Sequence, residues 1–140
     1  MLSESSRVTS ILDRETIGFL TAVNAEGQPQ TAPIWFVRAD DDLIVYNHPT
    51  SPRIRSVESN PKVAFNVRGD IRGAGALLIE ANATVVEVGP AAEFPGYLQK
   101  YEREIELFGW TPETFSADYS VALRLEVTRV RAWGLETLDR

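Results

Sequence analysis

The sequence predicts a mainly β, α+β fold: six antiparallel strands in a small closed or nearly closed barrel, flanked by short helices. Three observations predict it. Six short segments are apolar throughout or alternate with period two; most are joined by tight turns; and all lie within 140 residues, the length of one domain spanning 1–140. A chain of about this size hides roughly 70% of its unfolded surface, enough for a real core.

Residues 2–15 read as an opening helix, with Val8, Ile11 and Leu12 at i, i+3, i+4 spacing. Ile17 to Val23 is apolar on both faces and reads as a well-buried strand. Asn24 to Gly27 is a turn, and the chain returns through Gln30 to Arg38. Pro33 offers no N–H to a ladder, so this second strand is expected at an edge or bulged. Asp40 to Asp42 makes the next turn and Leu43 to Tyr46 the third strand, completing a meander.

Ser51 is placed as an N-cap and Pro52 as the first residue of a short helix that Asn60-Pro61 ends. Lys62 to Val67 is the fourth strand and 69–75 a loop. Leu77, Ile79, Ala81, Ala83 and Val85 alternate with polar residues, the mark of a half-exposed strand. From Gly96 to Phe108 an amphipathic helix points Leu98, Tyr101, Ile105 and Phe108 inward. A last strand carries Val121, Leu123, Leu125 and Val127 on one face and runs toward Trp133-Gly134.

Composition excludes much. With no cysteine there is no disulfide, Cys zinc site, thiol nucleophile or Cys-ligated cluster, and one histidine forbids a multi-His metal site in one subunit. A net charge of −6 argues against broad nucleic-acid or anionic-membrane binding. The N-terminus has no signal-peptide pattern, and no apolar run is long enough to span a bilayer. The cytoplasm is the expected compartment. No Gly-x-Gly-x-x-Gly, Walker or Gly-x-Ser-x-Gly motif occurs, so no side chain is assigned as acid, base or nucleophile.

Charge is locally reversed. Residues 48–73 hold five bases against two acids, a net of +3, which leaves −9 on the remainder. The helix start at Ser51-Pro52 lies inside this island, where free backbone N–H groups and the positive dipole end favour an anion. Arg53 and Arg55 add fork-shaped donors, although residues i and i+2 of a regular helix lie about 200° apart. A solvated helix face is the alternative reading. Trp35 and Trp133 read either as core or interface residues or as stacking partners for a flat ring. Asn47 is either a turn residue or a partner for a ring carbonyl or hydroxyl, and His48 suits a surface or turn role. Gln30 and Thr31 are placed to face the same site.

The stretch Ile17 to Val23, its turn, and Pro29-Gln30-Thr31-Ala32-Pro33-Ile34-Trp35-Phe36 resemble the first hairpin of the pyridoxamine 5'-phosphate oxidase-like proteins. Ser51 to Ala64, with basic residues two apart before Asn60-Pro61-Lys62-Val63, resembles that superfamily's phosphate-binding crossover. The resemblance implies a six-stranded antiparallel split β-barrel over nearly the whole chain. The chain is shorter than a pyridoxamine phosphate oxidase proper and shows no counterpart of that enzyme's C-terminal substrate-binding segment. It is more similar to the flavin/deazaflavin oxidoreductases, which implies coenzyme F-420 or FMN and hydride transfer to or from a small organic substrate. It also implies a homodimer with cofactor sites at the interface. Mapped by motif, Arg53 and Arg55 would hold the phosphate, with Ser51 and Asn47 as polar contacts. Gln30, Pro33, Ile34 and Trp35 would border the ring, and Trp133 is a further candidate. A flavin-, F-420- or haem-binding protein without turnover is the alternative on the same barrel.

Overall fold

The computed structural model describes residues 1–139. Helix α1 (Ser6–Arg14) opens with the Ser5 side chain accepting from the Val8 N–H, and it buries Val8, Ile11 and Leu12. Strand β1 (Gly18–Val23) pairs antiparallel with β2 (Pro29–Ile34) across a turn in which Gly27 takes φ 84°. Strands β3 (Val37–Ala39) and β4 (Asp42–Asn47) form the next pair, followed by α2 (Pro52–Ser59) and β5 (Lys62–Val67). The long strands β6 (Ala76–Val86) and β7 (Val121–Trp133) pair along their whole length. Helices α3 (Tyr97–Leu107) and α4 (Pro112–Asp118) lie in the segment between them.

The strands form one antiparallel sheet of seven in the order β2-β1-β5-β6-β7-β4-β3. This corrects the expected six-stranded barrel: the sheet is not closed, and the meander is absent. The cause lies in the run from Gln30 to Arg38, which breaks at Trp35-Phe36. Its first part becomes one edge strand and its last part the other, and no ladder joins the two. Pro29 and Pro33 on β2 lack the N–H groups that a further ladder would use. The expected edge position of Pro33 holds.

Period-two burial follows the sequence closely elsewhere. Leu77, Ile79, Ala81 and Ala83 are buried, whereas Val85 is 45% exposed at the strand's end. A register shift between Glu80 and Ala81 leaves Thr128 of β7 as an extra residue, and its hydroxyl donates to Glu80 O at 3.1 Å.

Two apolar clusters result. The larger joins one face of the sheet to α1, and includes Leu12, Leu20, Phe36, Phe65, Leu77 and Leu125. The second lies on the other face of β3, β4 and β7, where Val37, Ile44, Tyr46 and Ala122 meet Tyr97, Tyr101, Ile105 and Phe115. In α3 the inward face is Tyr97, Tyr101 and Ile105; Phe108, expected inside, lies beyond the helix and is 69% exposed. Helix α4 was not anticipated, though Thr111-Pro112 announces it. The Thr111 hydroxyl accepts from Thr114 N–H at 3.1 Å, Thr114 reciprocates, and Pro112 takes the first turn.

Candidate functional site

Where β4 ends and α2 begins, the β2–β3 break and the α3–α4 segment enclose a cavity of about 490 Å3. Ile34 ends β2 there, Trp35 sits in the break, Asn47 ends β4, and Ser51 and Arg53 open α2. With Pro33, six of the residues singled out from sequence therefore share one cavity.

Arg53 is the informative side chain. It is half-buried and, among the described residues, makes no hydrogen bond or ion pair. Burial lowers its pKa from the ordinary value, with the nearby Tyr119 acting in the opposite sense. No Asp or Glu lines the cavity, so a desolvated guanidinium faces a space without a counter-charge. Ser51 stands at the N-cap position of α2, yet its side chain takes no cap bond from the helix. Ser51 lines the cavity next to Arg53.

Asn47 is 2% exposed, and its amide orientation is chemically fixed: Nδ2 donates to Val45 O at 2.9 Å and to Val121 O at 3.1 Å. Only Oδ1 is left, buried and without a partner. Asn47 can therefore accept a hydrogen bond but has no donor for a ring carbonyl. The fully buried Tyr97 likewise has an unpartnered hydroxyl, and burial pushes its pKa up so that it stays protonated. His48 has the turn role expected of it, since Nδ1 accepts from Thr50 N–H at 3.3 Å and lies 2.8 Å from the Thr50 hydroxyl. Its ring also meets Tyr119 edge-on at 6.3 Å on the cavity wall.

Four sequence candidates lie outside the cavity; one, Thr31, has its hydroxyl 2.6 Å from that of Thr21 across the β1–β2 pair. Gln30 and Arg55 line a separate groove of about 820 Å3 between the β1–β2 turn and α2, and Ser51 borders both spaces. Arg55 shares that groove with Glu26 and Glu58, so its surroundings are acidic overall. Trp133 ends β7 opposite Ala76, is 49% exposed, and lines neither space.

The wall that sequence reasoning missed is aromatic. Tyr97, Phe108, Trp110, Phe115 and Tyr119 line the cavity from the α3–α4 side. Trp35 stacks on Tyr101 at 4.7 Å and 7° and on Phe115 at 5.4 Å, and Tyr119 stacks on Phe115 at 4.8 Å. A signal existed: seven of the chain's thirteen aromatic residues fall within 94–119. Among the described residues no cluster of His, Asp or Glu is arranged to hold a metal ion, and no helix is long and apolar enough to cross a membrane.

Fold and site together define a small α+β protein whose open antiparallel sheet carries an aromatic-walled cavity with one unpaired cation. A family model for pyridoxamine 5'-phosphate oxidase matches residues 6–134, and the chain belongs to that family. Membership points to oxidoreductase activity of that family's general kind. Solved structures share the fold. A conserved hypothetical protein, Rv2991, from Mycobacterium tuberculosis superposes with a TM-score of 0.76 at 18% identity, covering 97% of this chain and 88% of that one. An F420 reductase gives 0.64 at 24% identity, over 87% and 94% of the two chains. HutZ, the heme storage protein from Vibrio cholerae, gives 0.64 at 21% identity, over 91% and 92%. No curated protein matches the sequence.

Proposed function

We propose that the chain is an oxidoreductase that holds FMN or the deazaflavin coenzyme F-420 in this cavity and passes hydride to or from a small organic substrate. The observation that carries the reading is Arg53: a half-buried guanidinium without a partner, in a cavity that no carboxylate lines. Such a group stabilises an anion by charge-assisted hydrogen bonds far better than an exposed one does. Arg53 and the Ser51 hydroxyl hold the cofactor phosphate at the start of α2. Pro33, Ile34 and Trp35 border the ring, with Asn47 Oδ1 accepting from a hydroxyl or ring N–H. The hydride chemistry is the bound cofactor's; the protein's part is to orient the ring, exclude water with the aromatic wall, and supply fixed partners. No side chain in the cavity is assigned as an acid or base. Arg55 adds its charge from the neighbouring groove. The working unit is a homodimer with two such sites at its interface, in the cytoplasm.

Titration of the purified protein with FMN and, separately, with F-420 tests this. Saturable micromolar binding of one of them, seen as fluorescence quenching, is the expected result. Binding of neither ends the proposal. Binding without turnover of any acceptor leaves a storage or carrier role in place of the enzyme.

A further inference from the structure

Two consecutive residues of α3, Lys100 and Tyr101, reach the cavity only through other residues. The Tyr101 hydroxyl accepts the Phe36 N–H at 2.9 Å. Its own proton lies between Thr16 O at 2.7 Å and Phe36 O at 3.0 Å. Phe36 follows Trp35 and Thr16 precedes Ile17, and both Trp35 and Ile17 line the cavity. Burial raises the Tyr101 pKa, so the hydroxyl remains a donor. One turn of the same helix also carries Lys100, whose Nζ donates to Leu12 O at 2.9 Å and stands 3.6 Å above the Phe36 ring. The Leu12 carbonyl belongs to the last turn of α1, where orphan carbonyls favour a donor of this kind.

The sheet itself leaves these segments unsecured. Residues 35–36 belong to no strand, and 15–17 connect α1 to β1. The Phe36 N–H and the Phe36 and Thr16 carbonyls are satisfied by the Tyr101 hydroxyl of α3 in place of a ladder.

From this we infer that Lys100 and Tyr101 are positioning residues of the site: they set the placement of Trp35 and Ile17, and through them the shape of the cavity, without touching its ligand. The inference uses the reading that this cavity is the ligand site, but its primary test needs no ligand. In a Trp110→Phe/Trp133→Phe background, Trp35 is the only tryptophan, and its emission and its quenching by acrylamide report its surroundings. Tyr101→Phe keeps the ring and removes only the hydroxyl. We expect unchanged far-ultraviolet circular dichroism, a red shift of Trp35 emission and a larger acrylamide quenching constant. Lys100→Met moves the same readouts in the same direction. Should Tyr101→Phe fail to fold, Lys100→Met carries the comparison. Parental Trp35 emission and quenching in a folded variant overturns the inference, because a purely structural role would lower stability and leave Trp35 unmoved. FMN titration of Tyr101→Phe and Lys100→Met with all three tryptophans retained reads the cofactor assignment separately: loss of affinity alongside the Trp35 change supports both, and no FMN binding even by the unsubstituted chain removes FMN alone.

Discussion

The Tyr101 hydroxyl and the Phe36 backbone N–H, 65 residues apart in the chain, lie 2.9 Å from one another. That bond satisfies a buried donor at the point where the chain leaves one sheet edge for the other. An unpaired buried N–H costs about 1–3 kcal/mol. Tyr101→Phe should lower stability by that order, measured as a shift of the urea midpoint at constant slope.

Arg53 and Arg55 should separate cleanly. Arg53 faces the cavity, whereas Arg55 lies in the groove with Glu26 and Glu58. A charge-assisted hydrogen bond is worth about 1.5–3 kcal/mol, so Arg53→Ala should weaken cofactor binding about ten- to hundredfold. Arg55→Ala should have the smaller effect. Equilibrium titration of both variants checks the order, and equal losses would place the phosphate between the two spaces.

Gly18 sits directly under a ring. A Cβ there would overlap the Phe65 ring and come within 3.1 Å of Phe36. Gly18→Ala should therefore destabilise by about 1–3 kcal/mol, as overpacking of a filled core does. Calorimetry or urea unfolding reads the loss, and a neutral result would mean that Phe65 has room to turn.

Lys100 makes stability depend on pH. Burial is the largest influence on its amine and lowers the pKa to about 7, against the opposing pull of Asp13 and Glu15. Asp13 is itself shared with Arg38, and Glu15 with Arg14. The unfolded lysine titrates near 10.4, so between about pH 7 and 10 the unfolded chain binds more protons than the folded one. The burial cost is fully present below about pH 7 and is relieved as pH rises. Stability should increase from pH 6.5 to 9.0, and Lys100→Met should remove this component while keeping the aliphatic stem. Tyr46, pushed up to about 12 by burial, titrates outside that window.

Local patterns carried most of the fold. The 3.6-residue spacing in α1, the alternation in β6 and β7, the Ser51-Pro52 start of α2 and the Asn24–Gly27 turn are all set by neighbours in sequence. What local patterns do not contain is the break at Trp35-Phe36. The run from Gln30 to Arg38 is continuously suited to a strand, and only a hydroxyl far along the chain takes its place in the ladder. Closure of the sheet depends on what its two edges do, and so was illegible for the same reason. Arg53, Ser51, Asn47, Pro33, Ile34 and Trp35 line one cavity. Arg55 parted from Arg53 because a regular helix turns about 200° between them. The aromatic wall escaped notice because its residues are scattered over a helix, a turn and α4, with no period of their own.

The position of that wall has an evolutionary consequence. Val86 at the end of β6 pairs with Ala122 at the start of β7, so the two ends of segment 87–120 are already side by side. Everything between them is an excursion that could be exchanged for another without altering a single ladder bond. If the cavity is the cofactor site proposed above, ligand preference on this scaffold can be rewritten by swapping one contiguous stretch of gene, provided the replacement again brings a hydroxyl to the Phe36 amide. Tyr101 marks the place where such a transplant must be sutured to its host.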